Sequence, residues 1–304
     1  MKESIINTIR DILILYFKKD ILGASLFGDL TDFLTRKRTI DINLLVITNE
    51  LIMDQYTAKR DLNQLLGKII RGHINYFILP RRLFEIFYER AIFPALAGII
   101  NGLIIFGENY IQKIKRSMSY SFIPLSYHYV LCYSLRHLSE FITSYMKGNY
   151  TEAAKGLYLS VKYSLTALLM YLKKKVLSDA TKIQKELNKI SMRKVPLDII
   201  RARRFLDFPY VIKKVKSLPR YRRNQTLTSI IKHTPSFFDL IKIAYTINIE
   251  CWRLIDKKKA FPLWKVIKLI HECKAVEVEF YCYDDEPVIE IIGDKTSSRV
   301  RLLL

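Results

Sequence analysis

The sequence predicts an α/β domain followed by an α-helical bundle and a small basic α+β region. Three observations carry the prediction. Over residues 1–118, apolar runs of strand length alternate with segments of helical period. Over 119–195 the period is helical almost throughout. Over 196–304, a basic, proline-punctuated stretch gives way to period-two alternation, as in a β-meander.

The N-terminal stretch MKESIINTIRDILILYFKKDI is interrupted by Glu3, Arg10 and Asp11, so it reads as an amphipathic helix to about Lys19 and not as a secretory leader. The stretch GASLFGDLTDFLTRKRTIDINLLVIT, Gly23 to Thr48, then reads as a helix N-terminus with two glycines, a polar loop and a strand. Within it, DINLLVIT is a continuous apolar run, as a strand buried on both faces requires. A helix around MDQYTAKRDLNQLLGKII follows, then a second strand, HINYFILP, stopped by Pro80. A helix from Arg81 leads to AIFPALAGIINGLIIFG. Its Pro94, Asn101 and internal glycines make it a buried helix, turn and third strand ending at Gly107. No segment supplies the ~18 uncharged apolar residues of a membrane span; the expectation is a cytoplasmic protein that does not engage membranes.

In the second region, YHYVLCYSLRHLSEFITSYMKG ends at Gly148, a C-cap residue. YTEAAKGLYLSVKYSLTALLMYLKKK repeats apolar residues at three- and four-residue steps, giving an antiparallel helix pair. Its Lys173, Lys174 and Lys175 suit the negative end of the helix dipole. In the third region, helices over about 236–256 and 262–273 precede AVEVEFYCYDDEPVIEIIGDKTSSRVRLLL, with turns at DDEP and GDKTSS.

Half of the 304 residues are apolar, enough for a substantial core. Fifty basic residues oppose 29 acidic ones, a formal charge of +21. Such a field points to an anionic partner, with RNA or a ribonucleoprotein first among them. Cys132, Cys251, Cys273 and Cys282 have no CxxC spacing and no histidine cluster beside them, so they read as reduced, mostly buried thiols and not as a zinc site.

The strand DINLLVIT sets Asp41 and Asn43 two residues apart, on one face. Two carboxylates there would clamp a metal; here one of the pair is an amide. The order helix, glycine turn, strand with a DxD-like pair, helix, strand, helix and IIFGENY resembles the minimal nucleotidyltransferases of the DNA polymerase β superfamily. These are often followed by a HEPN-type helical domain, a role that the 119–195 region would fill. The resemblance covers about two-thirds of the chain and rests on order and spacing as much as on identity.

The resemblance implies a mixed-sheet nucleotidyltransferase fold. It also implies a nucleoside triphosphate held at Gly23 and Gly28, with Ala24 at the family's serine position and Ser25 beside it. Backbone N–H groups cradle phosphate in such loops, and glycine permits close approach. It places Asp41 at the first metal carboxylate, Asn43 at the second and Asn75, on HINYFILP, at the third. Two-metal catalysis needs anionic oxygens around two Mg²⁺ ions about 3.5–4 Å apart. An amide neither balances that charge nor accepts the proton of an attacking hydroxyl. Loss of general-base help alone costs about 10²–10⁴-fold. Asp41 is therefore the one metal ligand retained, and the site reads as degenerate. The opposite reading keeps an active enzyme, with Asp29 and Asp32 supplying carboxylates or Asp41 holding a single Mg²⁺ with the triphosphate.

HEPN ribonucleases carry an arginine four to six residues before a histidine. Here Arg136 and His137 are adjacent, Arg71 and His73 too close, and Arg223 and His233 too far apart, so His137 reads as a helix-surface or interface residue. The strongest binding signal is basic: Arg201, Arg203, Arg204, Lys213, Lys214, Lys216, Arg220, Arg222 and Arg223, interleaved with Phe205, Phe208, Tyr210 and Tyr221. Arginine forks grip phosphate and aromatic rings stack on unpaired bases, although each ring taken alone is better explained as core. The expectation is an RNA- or ribonucleoprotein-binding protein, with a homodimer through the helical region. The alternatives are an active nucleotidyltransferase that adenylylates a protein or RNA, and a scaffold for an acidic protein.

Overall fold

The computed structural model describes residues 2–35, 39–50, 55–67, 69–70, 72–90, 92–117, 123–190, 199, 201–220, 227–256, 261–283, 286–293 and 297–302. The chain forms two units, Met1–Ser126 with Lys174–Ile183, and Tyr127–Lys173 with Gln184–Leu304. The architecture is mixed α/β, with a four-stranded mixed sheet in the first unit and a small antiparallel sheet near the C-terminus.

The first unit opens with α1 (Lys2–Phe17) and a 3-10 turn (Lys18–Asp20), followed by β1 (Ile21–Gly28) and α2 (Leu30–Leu34). Next come β2 (Thr39–Thr48), α3 (Gln55–Leu66), β3 (Gly72–Pro80) and α4 (Arg81–Glu89). It continues with α5 (Phe93–Ile100), β4 (Leu103–Phe106) and α6 (Glu108–Ser117). Strand order is β3-β2-β1-β4, with β2 and β3 parallel and the other pairings antiparallel.

Residue parity decides which side of this sheet is core. Ile42, Leu44 and Val46 of β2 point to one face, where Ile9, Leu13 and Phe17 of α1 and Ala58, Leu62 and Leu66 of α3 meet them at four-residue spacing. Each such large side chain contributes roughly 1.5–3 kcal/mol by leaving water. Asp41, Asn43 and Leu45 therefore point to the opposite face. There Gly98 of α5 comes so near that a Cβ would stand 2.7 Å from the Leu45 side chain.

Strand β1 corrects the reading of Gly23–Gly28 as a helix N-terminus. It is a central strand, buried along nearly its whole length and hydrogen-bonded on both sides. Two glycines, an alanine and a serine give it little of the β-branched or aromatic character that marks strands in sequence. Tertiary burial overrides that.

In the second unit, α7 (Ile123–Met146) and α8 (Tyr150–Lys173) are separated at Gly148, whose φ of +74° suits glycine. α9 (Ala180–Leu187), whose first half to Ile183 belongs to the first unit, a 3-10 turn (Ala202–Leu206), α10 (Phe208–Lys216), α11 (Leu227–His233), α12 (Pro235–Asp256) and α13 (Leu263–Glu272) follow. α8 is buried nearly all round between Ala153 and Met170, as the central helix of a bundle must be. Gly156 lets it approach α7, since a Cβ there would lie 2.7 Å from the Phe141 backbone nitrogen. A buried polar network joins three helices. The Ser134 hydroxyl donates to Ser160 O at 2.7 Å, and Asn248 Nδ2 donates to Leu131 O and Ser134 Oγ at 3.1 and 3.0 Å.

The C-terminal meander is β5 (Ala275–Tyr283), β6 (Glu286–Gly293) and β7 (Ser297–Arg301), in that order. It corrects the expectation that all four cysteines are reduced. Cys132 of α7 and Cys282 of β5 form a disulfide, with Cα atoms 5.6 Å apart, within the normal range. The same approach of β5 to α7 is sealed by Phe280 N–H donating to Ser139 Oγ at 2.6 Å. No local spacing announces a pair 150 residues apart. Cys251 and Cys273 are free thiols. Among the described residues, no helix is long and apolar enough to cross a membrane.

Candidate functional site

Parallel pairing of β2 with β3 sets Asn43 directly opposite Asn75, and antiparallel pairing with β1 sets Phe27 opposite Asn43. On this face the three predicted residues form one hydrogen-bonded row. Asn43 Nδ2 donates to Asp41 Oδ1 at 2.8 Å, and Asn75 Nδ2 donates to Asn43 Oδ1 at 3.1 Å. Asp41 and Asn43 are 1% and 2% exposed. The row answers the carboxylate with an amide N–H where a divalent ion would need an anionic oxygen. One carboxylate with that partner does not fit a pair of Mg²⁺ ions. Among the described residues, no three His, Cys, Asp or Glu side chains gather to hold a metal.

Of the four residues assigned to a nucleotide, only Gly28 stands beside this row. Its φ is +104°, and a Cβ would overlap the Asp41 carbonyl oxygen at 1.9 Å, so glycine is required. Gly23, Ala24 and Ser25 lie farther along β1, opposite Ile47, Val46 and Leu45. Gly23 backs onto Ile111 of α6, Ala24 belongs to the α1-side core, and Ser25 is fully buried on the other face.

The turn after Gly28 is held by a segment that sequence reasoning passed over. Asp29 N–H donates to Asp41 O at 2.8 Å, closing the turn onto β2. Gly28 N–H donates to Ser178 Oγ at 3.1 Å and Thr31 N–H to Asp179 Oδ2 at 2.7 Å. Ala180 N–H returns a bond to Asp29 Oδ1 at 3.0 Å. Asn101 Nδ2 donates to Val176 O, fixing the same strap from α5's end. Asp179 also caps α9, accepting from Lys182 N–H at 3.1 Å. That cap was the available signal, since Ser-Asp ahead of a helical period marks an N-terminus. Nothing local marks the bonds to Gly28 and Thr31. Of the carboxylates named by the active-enzyme reading, Asp29 is buried in this strap and Asp32 is half-buried on α2.

The basic cluster is in the second unit. Arg201, Arg204, Lys213, Lys214, Lys216 and Arg220 are exposed and Arg203 is half-buried, while Arg222, Arg223 and Tyr221 lie outside the described residues. Val211 and Val215 anchor α10 against α8, leaving the lysines between them outward. The described interleaved rings, Phe205, Phe208 and Tyr210, pack instead of standing free. Phe205 is buried, Phe208 meets Tyr158 edge-on at 5.7 Å, and Tyr210 meets Phe205 at 5.6 Å with Lys214 over its ring.

His137 is buried, not on the helix surface, and its Nδ1 lies 2.6 Å from Glu140 Oε2 between the rings of Tyr133 and Tyr163. Burial alone would raise the Glu140 carboxyl. The His137 hydrogen bond and the charges of His137, Arg136 and Lys155 outweigh it and hold that carboxyl below its ordinary value.

No protein-family model matches the chain, and no curated protein matches it. Among solved structures it is similar to a nucleotidyltransferase-like protein from Exiguobacterium sibiricum, at 13% identity over 98% of this chain and 99% of that one. The TM-score is 0.26, and at that level the likeness carries no argument about this chain.

Proposed function

We propose that this chain binds RNA or a ribonucleoprotein particle, on a nucleotidyltransferase-type fold with a HEPN-like helical region and a catalytic site that is degenerate. One contrast supports the reading. Asp41 and Asn43 are buried and hydrogen-bonded in a row with the half-buried Asn75, whereas Arg201, Arg204, Lys213, Lys214, Lys216 and Arg220 face solvent. The Gly28 and Thr31 N–H groups, which an anionic ligand would use, already bond to Ser178 and Asp179. A net charge of +21 supplies the field for phosphate.

A second reading, nucleotidyl transfer with one Mg²⁺ and a triphosphate at Asp41, draws on Asp29, a buried carboxylate beside Gly28. One experiment separates the two. Purified protein is incubated with α-labelled nucleotides, Mg²⁺ or Mn²⁺ and cellular RNA and protein, beside Asp41→Ala, and RNA retention is followed across salt. The proposal expects no transferred label and RNA affinity that falls steeply with salt, by a log–log slope near −4 if about six phosphates are engaged. Label that vanishes in Asp41→Ala establishes the enzyme instead. Flat salt dependence counts against the RNA reading, and complexes that survive nuclease point to an acidic protein partner.

A further inference from the structure

The second unit carries an aromatic and cationic surface outside the 201–223 cluster. The chain has two tryptophans, and their surroundings are opposite. Trp252 is fully buried, whereas Trp264 on α13 is 62% exposed. Val266 and Ile270 take the inner side of α13, which leaves Trp264, Lys265 and Lys268 outward. Lys265 Nζ lies 5.6 Å from the Trp264 ring centroid and 5.7 Å from that of Phe261, so one ammonium serves both rings.

Phe261 is held in place at both backbone polar groups. Its N–H donates to Leu302 O at 2.7 Å, and its carbonyl accepts the Tyr245 hydroxyl at 2.8 Å. Beside it opens a cleft of about 430 Å³ bordered by Tyr245, Ile249, Phe261, Leu263 and the ion pair of Arg253 with Glu250, within the ~300–1,000 Å³ range of small-ligand clefts. In sequence, Lys257, Lys258 and Lys259 immediately precede this segment, and no acidic residue occurs between Asp256 and Glu272.

We infer that Phe261, Trp264 and Lys265 form a stacking platform for unpaired bases of single-stranded RNA, with Lys265 and Lys268 taking its phosphates. The inference rests on the RNA-binding reading above and adds to it a place and a mode of contact. A large ring left in water beside cations matches what sequence-tolerant single-strand binders use, a π-face for the base and a positive track for the backbone. The packed rings of the 201–216 segment supply the second feature but not the first. A folded acidic protein would also meet the charge, but gains nothing particular from an exposed indole poised for stacking.

The test titrates an unstructured uridine 12-mer into the full chain at low salt, following tryptophan emission and, separately, binding by anisotropy of a labelled oligomer. The expected result is saturable quenching that high salt reverses. Trp264→Ala abolishes most of the quench and weakens binding about tenfold or more, while Trp264→Phe keeps most of the affinity. Lys265→Ala lowers the log–log salt slope by about 0.7. Trp264 is exposed, so these variants keep the fold, checked by circular dichroism. Binding that is equally tight in Trp264→Ala overturns the platform and leaves the RNA reading standing. Absence of any binding to the wild type overturns the RNA reading itself. Equal competition by polyglutamate shows a charge effect alone and also overturns the platform.

Discussion

The backbone N–H of Thr31 donates to the Asp179 carboxylate at 2.7 Å, across 148 residues of chain. Asp179 accepts a second bond from Lys182 N–H with its other oxygen, so one side chain caps α9 and holds the turn after β1. Removing it leaves two N–H donors without their partner in a place that is 3% exposed at the carboxylate. Asp179→Ala is expected to lower stability by about 1–3 kcal/mol, read from urea midpoints, with Asp179→Asn recovering part of the loss. Thr31 amide exchange should accelerate in the alanine variant. If the strap and the amide row describe the working state, millimolar ATP with Mg²⁺ leaves the wild-type melting temperature unmoved. A rise of several degrees would show that the pocket still takes nucleotide despite the strap, because ligand binding to the native state must stabilise it.

Two glycines with positive φ should respond very differently to alanine. At Gly28 a Cβ collides with the Asp41 carbonyl, and at Gly148 nothing lies within 4 Å. Gly148→Ala is expected to cost about 1 kcal/mol, the strain of a left-handed residue alone. Gly28→Ala should cost more than about 3 kcal/mol, because backbone must also move. Chemical denaturation of both variants makes the comparison, and similar costs would refute the close packing of Gly28 on β2.

Exposed lysines on α10 act as phosphate contacts if the chain binds RNA through this face. Joint replacement of Lys213, Lys214 and Lys216 by alanine should reduce the log–log salt slope by about 2, at roughly 0.7 per single-stranded phosphate contact. Stability should stay nearly unchanged, since these side chains stand in solvent.

Thiol reactivity should sort the four cysteines into three classes. Cys273 is half-buried and reacts in the native protein. Cys251 is fully buried; burial first, and the charge of Glu250 second, push its thiol far above the usual range. It should react only after unfolding. Cys132 and Cys282 should react only after a dithiol reductant is added to the unfolded chain. Rapid labelling of all four in native, unreduced protein would rule out the disulfide.

The Glu140 carboxyl is held below its ordinary value, so its stabilising contribution is present above the unfolded-state pKa near 4.5 and disappears as pH falls through the lower folded value. Its side chain is 44% exposed, so the effect is modest. Glu140→Gln should melt below the wild type at neutral pH, and the two curves should converge as acidification passes through the lowered folded value. A difference that persists unchanged at low pH would assign the effect to packing.

Local periodicity made much of the fold legible. The continuous runs at Asp41–Thr48 and His73–Pro80, the break at Gly148 and the alternation of the C-terminal meander are all short-range signals, and the strands and helices stand there, while residues 284–285 and 294–296 of the meander's turns lie outside the described residues. The i, i+2 argument placed Asp41 and Asn43 on one face, and they are hydrogen-bonded there. Strand β1 was missed because Gly23, Ala24, Ser25 and Gly28 have weak strand character. They lie in a strand because both neighbours hydrogen-bond to it.

By itself, then, the amino-acid sequence determined the charge, the order of most helices and strands, and the placing of the amides Asn43 and Asn75 on strands beside a single carboxylate, Asp41. Only the tertiary structure decided that those amides close a row onto Asp41, that Ser178 and Asp179 meet the Gly28 turn, and that Cys132 pairs with Cys282. The physical reason is range. Helical and strand periods are set by neighbours a few residues away, whereas these bonds join residues up to 151 positions apart and depend on packing of surfaces that no local pattern encodes.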